Sequence, residues 1–353
     1  MRRLLGLAVA AFLVTTGATT GQARAGLAEA GITILSFADL AGWAEDDHAA
    51  AFDVFRETCA HLDDGQWRPI CSFAKAYHGP ARTFFELFFR PVLIEDGKDG
   101  FFTAYYEPQL WGARFRTPRF DYPVYRLPPE AAANDTWLTR REIETSGALD
   151  DRDLEIAWVD DPVELFFLQI QGSGRIRLPD GSAIRVGYGG ANGHEYRSVG
   201  EEMVRRGIYQ SHQVSAQVIR NWVRRNPDDG PRLLQHNPSY VFFREVSEVP
   251  ADRGPLGAMN RSITAMRSIA VDPAFTPLGA PVWVEKGGHA PLRRLMIAQD
   301  TGSAIKGAQR ADVFVGTGDQ AGRIAGRMKD SGRMVVLMPI QRAYAMLPPD
   351  SLQ

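Results

Sequence analysis

The sequence predicts a mainly β protein with peripheral helices, in which short strands form a closed barrel or sandwich and a second domain is inserted into the first. Six short apolar segments, separated by glycine and proline turns, follow residue 238 and favour this architecture. Apolar and polar residues also alternate on both sides of Pro179-Asp180-Gly181, which is typical of a hairpin. Helical periodicity is limited to short separate stretches, so the helices are expected at the periphery.

The chain length and the net charge limit the number of domains and the class of binding partner. The 353 residues suit about two domains, and 44% apolar residues are enough for a core. We place a first domain at 26–105 and 239–345, with a second domain inserted at 106–238. The formal net charge of −2 provides no overall basic field, which argues against nucleic acid as the main partner.

The remaining elements are predicted from local patterns in chain order. An amphipathic helix is expected over 44–62, where apolar residues recur on one face behind an acidic start. A second helix over 80–95 should stop before Pro91, because proline disfavours the helical interior. We further predict strand and loop over 100–115, a β hairpin over 166–190, helices over 198–207 and 214–225, strands within 239–246, 268–272, 281–285, 294–300, 311–316 and 333–340, and a helix over 319–328 capped by Asp319.

The N-terminus resembles a secretory signal peptide. Two arginines precede a short apolar stretch, and small residues end at Ala23-Arg24-Ala25. We expect residues 1–25 to be removed, which predicts a periplasmic protein with no membrane span in the mature chain. A retained membrane anchor is the alternative. No cysteine lies near the expected cleavage point, so a lipid-acceptor cysteine is not predicted there.

Cysteine and histidine usage disfavours a metal site. Cys59 and Cys71 are the two cysteines, and in an oxidising compartment they could form a disulfide or remain as two buried thiols. The seven histidines show no H-x-H or H-E-x-x-H spacing. We therefore predict no metal and no cofactor.

The sequence Asp300-Thr301-Gly302 follows an apolar strand and can have three meanings. An aspartic protease would need a second carboxylate, and Asp330 in Asp330-Ser331-Gly332 is too close in sequence to come from a separate lobe. Because Asp330 follows a predicted helix, we expect it to act as a helix stop. A single acid that cleaves a glycosidic bond and a simple hydrogen-bonded turn both remain open at this point.

Longer motifs resemble a known family. Matches in the same order run from about residue 50 to residue 345, and three aspartates, Asp272, Asp300 and Asp312, lie within them. The motifs are "FFTAYYEPQLWG", "YPVYRLP", "FFLQIQGSGRIRLPDGSAIRVGYGGANG", "SIAVDPAFTPLGAPVWVE" and "AQDTGSAIKGAQRADVFVGTG". They are similar to membrane-bound lytic murein transglycosylase A and its three-aspartate domain.

The resemblance implies a fold and a reaction. The fold would be a double-psi β-barrel with an inserted second β-barrel domain, and the groove between them would hold a glycan strand of peptidoglycan. The reaction would cleave the β-1,4 bond between N-acetylmuramic acid and N-acetylglucosamine and leave a 1,6-anhydromuramoyl end. A non-catalytic wall-binding module is the alternative, because a fold does not by itself determine function.

The resemblance also implies roles for individual residues. Asp300 falls on the catalytic aspartate, and Asp312 would support it or stabilise positive charge at C1, unless it only makes a turn or barrel hydrogen bond. Lys306 would contact the sugar, whereas Asp272 is expected to be structural. The other residues expected in the groove are Thr103, Tyr105, Tyr106, Gln171, Gly172, Ser173 and Tyr188. Two features depart from the family: the absence of an acylatable cysteine and the presence of Gly302-Ser303 where Gly-Gly is common.

Overall fold

The computed structural model of the chain describes residues 27, 29–62, 64–288 and 290–347. The predicted signal peptide lies outside the described residues. Within them the chain forms two β-sheets with short helices around them, so the predicted class is confirmed. The strands are β1 (Gly31–Ile34), β2 (Phe89–Glu95), β3 (Phe101–Glu107), β4 (Gln109–Ala113), β5 (Tyr122–Tyr125), β6 (Glu155–Val159), β7 (Gly174–Arg177), β8 (Ala183–Ala191), β9 (Val241–Glu245), β10 (Ser268–Val271), β11 (Pro281–Lys286), β12 (Leu292–Asp300), β13 (Arg310–Thr317) and β14 (Lys329–Pro339).

The α-helices lie between these strands and at the chain ends. They are α1 (His48–Thr58), α2 (Trp67–Ala76), α3 (Ala81–Phe88), α4 (Pro129–Ala133), α5 (Arg140–Thr145), α6 (Pro162–Gln171), α7 (Val199–Arg205), α8 (Ala216–Arg225), α9 (Gly230–Leu234), α10 (Gly318–Ala325) and α11 (Ile340–Ala345).

The larger sheet closes six of its strands into a ring. Its order is β1-β2-β14-β11-β12-β10-β13-β3, and an additional pairing between β14 and β3 completes the ring. The long strand β14 makes this possible, because Lys329–Ser331 pairs with β3 while later residues pair with β11 and β2. Closure leaves the ring strands without free edges and buries residues such as those of β10 on both faces.

The second sheet uses strands from the middle of the chain, in the order β5-β6-β4-β7-β8-β9. Its two edges approach each other, because Arg126, just past β5, forms a bridge with Phe243 in β9. The chain enters this sheet immediately after β3, since a single residue, Pro108, separates β3 from β4. The end of β3 is therefore the junction between the two sheets.

Helices α1 to α3 cover one side of the ring with an aromatic core. Phe52 and Phe84 have ring centroids 4.7 Å apart, and Phe55 is completely buried. Truncating a buried phenylalanine to alanine typically costs about 3–5 kcal/mol. The open question about Cys59 and Cys71 is decided in favour of a disulfide, with the two Cα atoms 5.2 Å apart.

Two predicted elements change type. Residues 166–171 belong to helix α6 and not to a strand, because Asp161 caps the helix by accepting from the Val163 and Glu164 amides, and Gly172 ends it in the left-handed conformation. The hairpin itself is confirmed as β7 and β8. The predicted helix over 80–95 ends earlier, at Phe88, and the following residues form β2.

Two predicted aspartate roles in the C-terminal region are wrong. Asp330 is not a helix stop, because α10 ends at Ala325 and Asp330 lies in β14. Its carboxylate instead accepts from the Lys286 ammonium at 2.6 Å, across the pairing of β11 with β14. Asp319 lies in the first turn of α10, and Thr317 occupies the N-cap position.

Candidate active site

The register of three ring strands places two aspartates on one face. Asp300 at the end of β12 and Asp312 in β13 both pair with Ala270 of β10, one from each side. Residues paired across strands share a face of the sheet, and neighbouring strands lie about 4.8 Å apart, so the Cα atoms of the two aspartates are roughly 10 Å apart. The ring thus brings together two carboxylates from different motifs.

Asp300 has hydrogen-bond donors on both of its carboxylate oxygens. Oδ1 accepts from the backbone amides of Thr301 and Ala258, each at 2.9 Å. Oδ2 accepts from the Tyr105 hydroxyl at 2.8 Å. Because Oδ1 already receives two donors, Oδ2 is the oxygen with a free lone pair for a proton.

Burial and hydrogen bonding have opposite effects on the pKa of Asp300. Removal from water raises the pKa above its ordinary value, whereas the Tyr105 hydroxyl and the two amides lower it. Burial prevails, so the net shift is upward. The apolar wall is a small cluster that contains Tyr105, Ile263, Ala270, Ile305 and Phe314. This arrangement favours a carboxyl group that can hold a proton near neutral pH more readily than an exposed aspartate.

Asp312 lies in a related environment. Its Oδ1 accepts from the Thr103 hydroxyl at 2.5 Å, and that hydroxyl in turn accepts from Arg310 at 2.8 Å. Burial raises the pKa of Asp312 to about 6, and the nearby Asp300 adds to the rise, while Thr103 and Arg310 oppose it. Both aspartates therefore favour the protonated form more than a solvent-exposed carboxyl group does.

One face of β3 serves both carboxylates. Thr103 contacts Asp312, Tyr105 contacts Asp300, and Glu107 lies two residues further on the same face. The parallel pairing of β3 with β13 sets this arrangement, because it places Thr103 opposite Asp312. A single strand thus determines the hydrogen bonding of both aspartates.

Asp272 holds the backbone of the loop between β12 and β13. Its carboxylate accepts from the Gly307 amide at 2.9 Å and from the Ala274 amide at 3.1 Å. The side chain is buried, and Gly307 has a φ of 118°, which is a conformation that favours glycine. These contacts describe a residue that shapes the loop carrying Lys306.

Two protein families match successive parts of the chain. The family described as "MltA specific insert domain" matches residues 101–244, and the "3D domain" family matches residues 267–338. Membrane-bound lytic murein transglycosylase A of Vibrio cholerae is 33% identical over 268 residues, which cover 71% of this chain and 70% of that protein. The chain belongs to the membrane-bound lytic murein transglycosylase A family. The Escherichia coli relative is 36% identical, and this chain spans 65% of its length.

Solved structures of the family share the fold. A membrane-bound lytic murein transglycosylase from Agrobacterium tumefaciens superposes with a TM-score of 0.80 at 31% identity, covering 90% of this chain and all of that chain (100%). MltA from Neisseria gonorrhoeae gives 0.76 at 35% identity, with coverage of 88% and 93%. E. coli MltA with bound chitohexaose gives 0.71 at 29% identity, with coverage of 87% and 94%.

The remaining predicted site residues are divided between the sheets. Gln171 at the end of α6 accepts from the Tyr106 amide at 3.0 Å, and the Tyr106 hydroxyl accepts from Arg220 at 3.1 Å. Gly172 caps α6, Ser173 is buried, Tyr188 in β8 is 58% exposed, and Lys306 is exposed. Tyr106 and Gln171 therefore form a direct contact between β3 and the second sheet's helix.

Sequence reasoning missed three contributors to the site. Arg310 lies two residues before Asp312 within the recognised motif, and this spacing along a strand was the available signal. Arg220 lies in a helix that was predicted without a role. Ala258 contributes only its backbone amide, so no side-chain pattern could have identified it.

The described residues contain no group of three or more His, Cys, Asp or Glu side chains arranged to hold a metal ion. Among the same residues, no helix is long and apolar enough to cross a bilayer.

Proposed function

We propose that this chain is a peptidoglycan lytic transglycosylase. It cleaves the β-1,4 bond between N-acetylmuramic acid and N-acetylglucosamine and leaves a 1,6-anhydromuramoyl end. The observation that carries the proposal is Asp300, a carboxyl group whose pKa is raised by burial and whose Oδ2 retains a free lone pair. Membership of the family and the chitohexaose bound by E. coli MltA support a glycan substrate.

The reaction needs one group that first gives and then takes a proton. Protonated Asp300 donates from Oδ2 to the glycosidic oxygen as the bond from C1 to that oxygen breaks. The C6 hydroxyl of the muramoyl residue attacks C1 and passes its proton to the Asp300 carboxylate, so the aspartate is restored and no water is consumed. A positioned acid/base of this kind contributes roughly 10²- to 10⁴-fold.

Tyr105 and Asp312 assist at different stages. The Tyr105 hydroxyl donates to the oxygen on which charge appears when Asp300 loses its proton, and this bond strengthens as charge develops. Asp312, when ionised, places negative charge on the same face and stabilises the positive charge at C1. We therefore assign Tyr105 and Thr103 to positioning the two carboxylates, and not to direct sugar contact.

The glycan strand would lie across the junction of the two sheets. From the ring side, the exposed Lys306 contacts N-acetyl or lactyl oxygens. From the second sheet, Tyr188 offers an exposed ring on which a sugar can pack, while Tyr106, Gln171, Gly172 and Ser173 shape the floor. Half-exposed aromatic side chains suit this role because they combine a large apolar face with a polar tip.

We further propose the domain limits and the location. The inserted domain begins after Glu107 and extends through β9 to Glu245, seven residues beyond the limit at 238 expected from sequence, because β9 is hydrogen-bonded to β8. The signal-like N-terminus supports export to the periplasm, and the relatives are named as membrane-bound proteins.

Mass spectrometry of purified murein sacculi after incubation with the protein tests the function. Anhydro products support the proposal, hydrated reducing ends would indicate a hydrolase, and intact sacculi with bound protein would indicate a wall-binding module. Asp300→Asn keeps the size of the side chain but cannot donate and recapture a proton, so turnover should fall at least the ~10²- to 10⁴-fold typical of one acid/base.

Asp228→Asn is the matched control, because this aspartate is exposed. It should retain wild-type turnover, and circular dichroism should show both variants folded. A folded Asp300→Asn protein with more than about a tenth of wild-type turnover would place the acid elsewhere, since that loss is too small for an essential acid/base.

A further inference from the structure

A completely buried carboxylate marks the place where the chain leaves the ring for the second sheet. Glu107 is 0% exposed and is the last residue of β3. A buried glutamate requires compensating partners, because an isolated charge in the protein interior is strongly destabilising. The mechanism proposed above makes no use of Glu107.

The partners of Glu107 come from both sheets. Arg175 of β7 donates to Oε2 at 2.8 Å, and the Arg185 guanidinium of β8 lies 3.1 Å from Oε1. On the ring side, the Thr317 hydroxyl at the end of β13 donates to Oε2 at 2.8 Å. One side chain of the ring is therefore fixed to two neighbouring strands of the second sheet.

The same two arginines also hold the segment by which the chain returns to the ring. Arg175 donates to the carbonyls of Ala251 and Arg253 at 2.6 and 3.0 Å. Arg185 donates to the carbonyls of Pro250 and Arg253 at 3.1 and 2.6 Å. Both crossings between the sheets thus meet at a single cluster of charges.

We propose that Glu107 is a positioning residue that locks the second sheet against the ring and so maintains the glycan-binding surface between them. Without the carboxylate, the buried Arg185 and the partly buried Arg175 guanidinium groups face each other with no anion between them, and their repulsion separates β7 and β8 from β3. The inference rests on the proposed function, in which a glycan strand contacts both sheets. Tyr105 keeps its own apolar packing against Phe314, so the acid itself should remain in place.

Loss of the contacts between Glu107 and the two arginines should therefore weaken substrate binding more than it slows the chemical step. In Glu107→Gln we expect the KM for isolated glycan strands to rise about tenfold, while kcat falls less than about threefold and the pH profile does not move, because uniform binding is lost. Sacculus pelleting should show the same loss of affinity. Trypsin should cleave after Arg253 about tenfold faster, since cleavage follows local opening of the exposed return segment.

Glu202→Gln is a matched control. Glu202 is also buried and also pairs with two arginines, Arg205 and Arg206, but all three residues belong to α7 and its C-cap within the inserted region. It should destabilise the fold while leaving KM, pelleting and cleavage after Arg253 at wild-type values. If Glu107 only stabilised the fold, Glu107→Gln would behave like Glu202→Gln in KM, in pelleting and in cleavage after Arg253.

Arg175→Gln keeps the experiment decisive if Glu107→Gln does not fold. It removes the contacts of Arg175 with Glu107 and with the Ala251 and Arg253 carbonyls, while Arg185 still neutralises Glu107. It should accelerate cleavage after Arg253 and raise KM. A folded Glu107→Gln or Arg175→Gln protein with wild-type KM and wild-type cleavage would overturn the proposal. If the wild-type protein releases no anhydro product, the proposed function fails, yet the cleavage and pelleting measurements still decide whether Glu107 is a lock.

Discussion

Replacing Asp312 with asparagine should stabilise the protein at neutral pH. Burial raises the pKa of Asp312 from 3.8 to about 6, so the folded state binds a proton more tightly than the unfolded state. The free energy of unfolding changes with pH according to the difference in bound protons between the unfolded and folded states. It therefore falls as pH rises from about 4 to about 6 and then stays constant. At pH 7 the ionised carboxylate destabilises the folded state, and the substitution by asparagine removes this charge.

The size of the stabilisation by Asp312→Asn follows from the pKa shift of Asp312. A rise of about 2 pKa units at about 1.36 kcal/mol per unit amounts to roughly 3 kcal/mol at pH 7. Asparagine retains a carbonyl oxygen that accepts from the Thr103 hydroxyl, so little hydrogen bonding is lost. We expect Asp312→Asn to gain up to about 3 kcal/mol at pH 7 and nothing below about pH 4, where the wild-type carboxyl is already protonated. Turnover should fall, because the charge serves the reaction and not the fold.

Urea unfolding of wild type and Asp312→Asn at pH 3.5, 5 and 7 provides the assay. Asp272→Asn is the contrasting control, since its carboxylate accepts from two backbone amides and asparagine can satisfy only one side, so it should lose about 1–3 kcal/mol. An Asp312→Asn protein that is less stable than wild type at pH 7, or equally more stable at pH 3.5 and pH 7, would refute this account of the buried charge.

Three further outcomes follow from the structure. Tyr105→Phe removes a donor that lowers the pKa of Asp300, so the alkaline limb of kcat/KM should move to higher pH and kcat should fall. An unmoved limb in a pH–rate profile would contradict this role. Replacing Cys59 and Cys71 by alanine should lower the free energy of unfolding by about 3 kcal/mol, and reductant should change wild type but not the double variant. Asp330→Asn should destabilise the protein by about 2 kcal/mol, because it weakens the ion pair with Lys286, and it should leave KM unchanged. Urea unfolding and steady-state kinetics measure the two effects, and an unchanged free energy of unfolding would contradict a stabilising role for this ion pair.

Local patterns identified much of the ring. The strands after residue 238 are short, apolar and separated by glycine and proline, and each was predicted within a few residues because a short apolar run between turn residues is visible in the sequence itself. The pattern failed at 166–171, where helix α6 buries four consecutive residues, Phe166 to Gln169, before the exposed Ile170, so neither period is clear. The strand β2 was missed for a related reason, since it directly follows a helix with a similar composition.

The sequence by itself identified Asp300 and Asp312 as the candidates for the chemistry, because both lie in motifs long enough to be recognised. It could not determine their surroundings. Tyr105 and Asp300 are 195 positions apart and meet only because β3 closes the ring beside β13. Glu107 appeared as one acid in an aromatic stretch, and only the packing of two sheets placed two arginines around it. Propensity and periodicity act over a few residues, whereas burial, pKa and ion pairing depend on which distant segments come together in the folded chain.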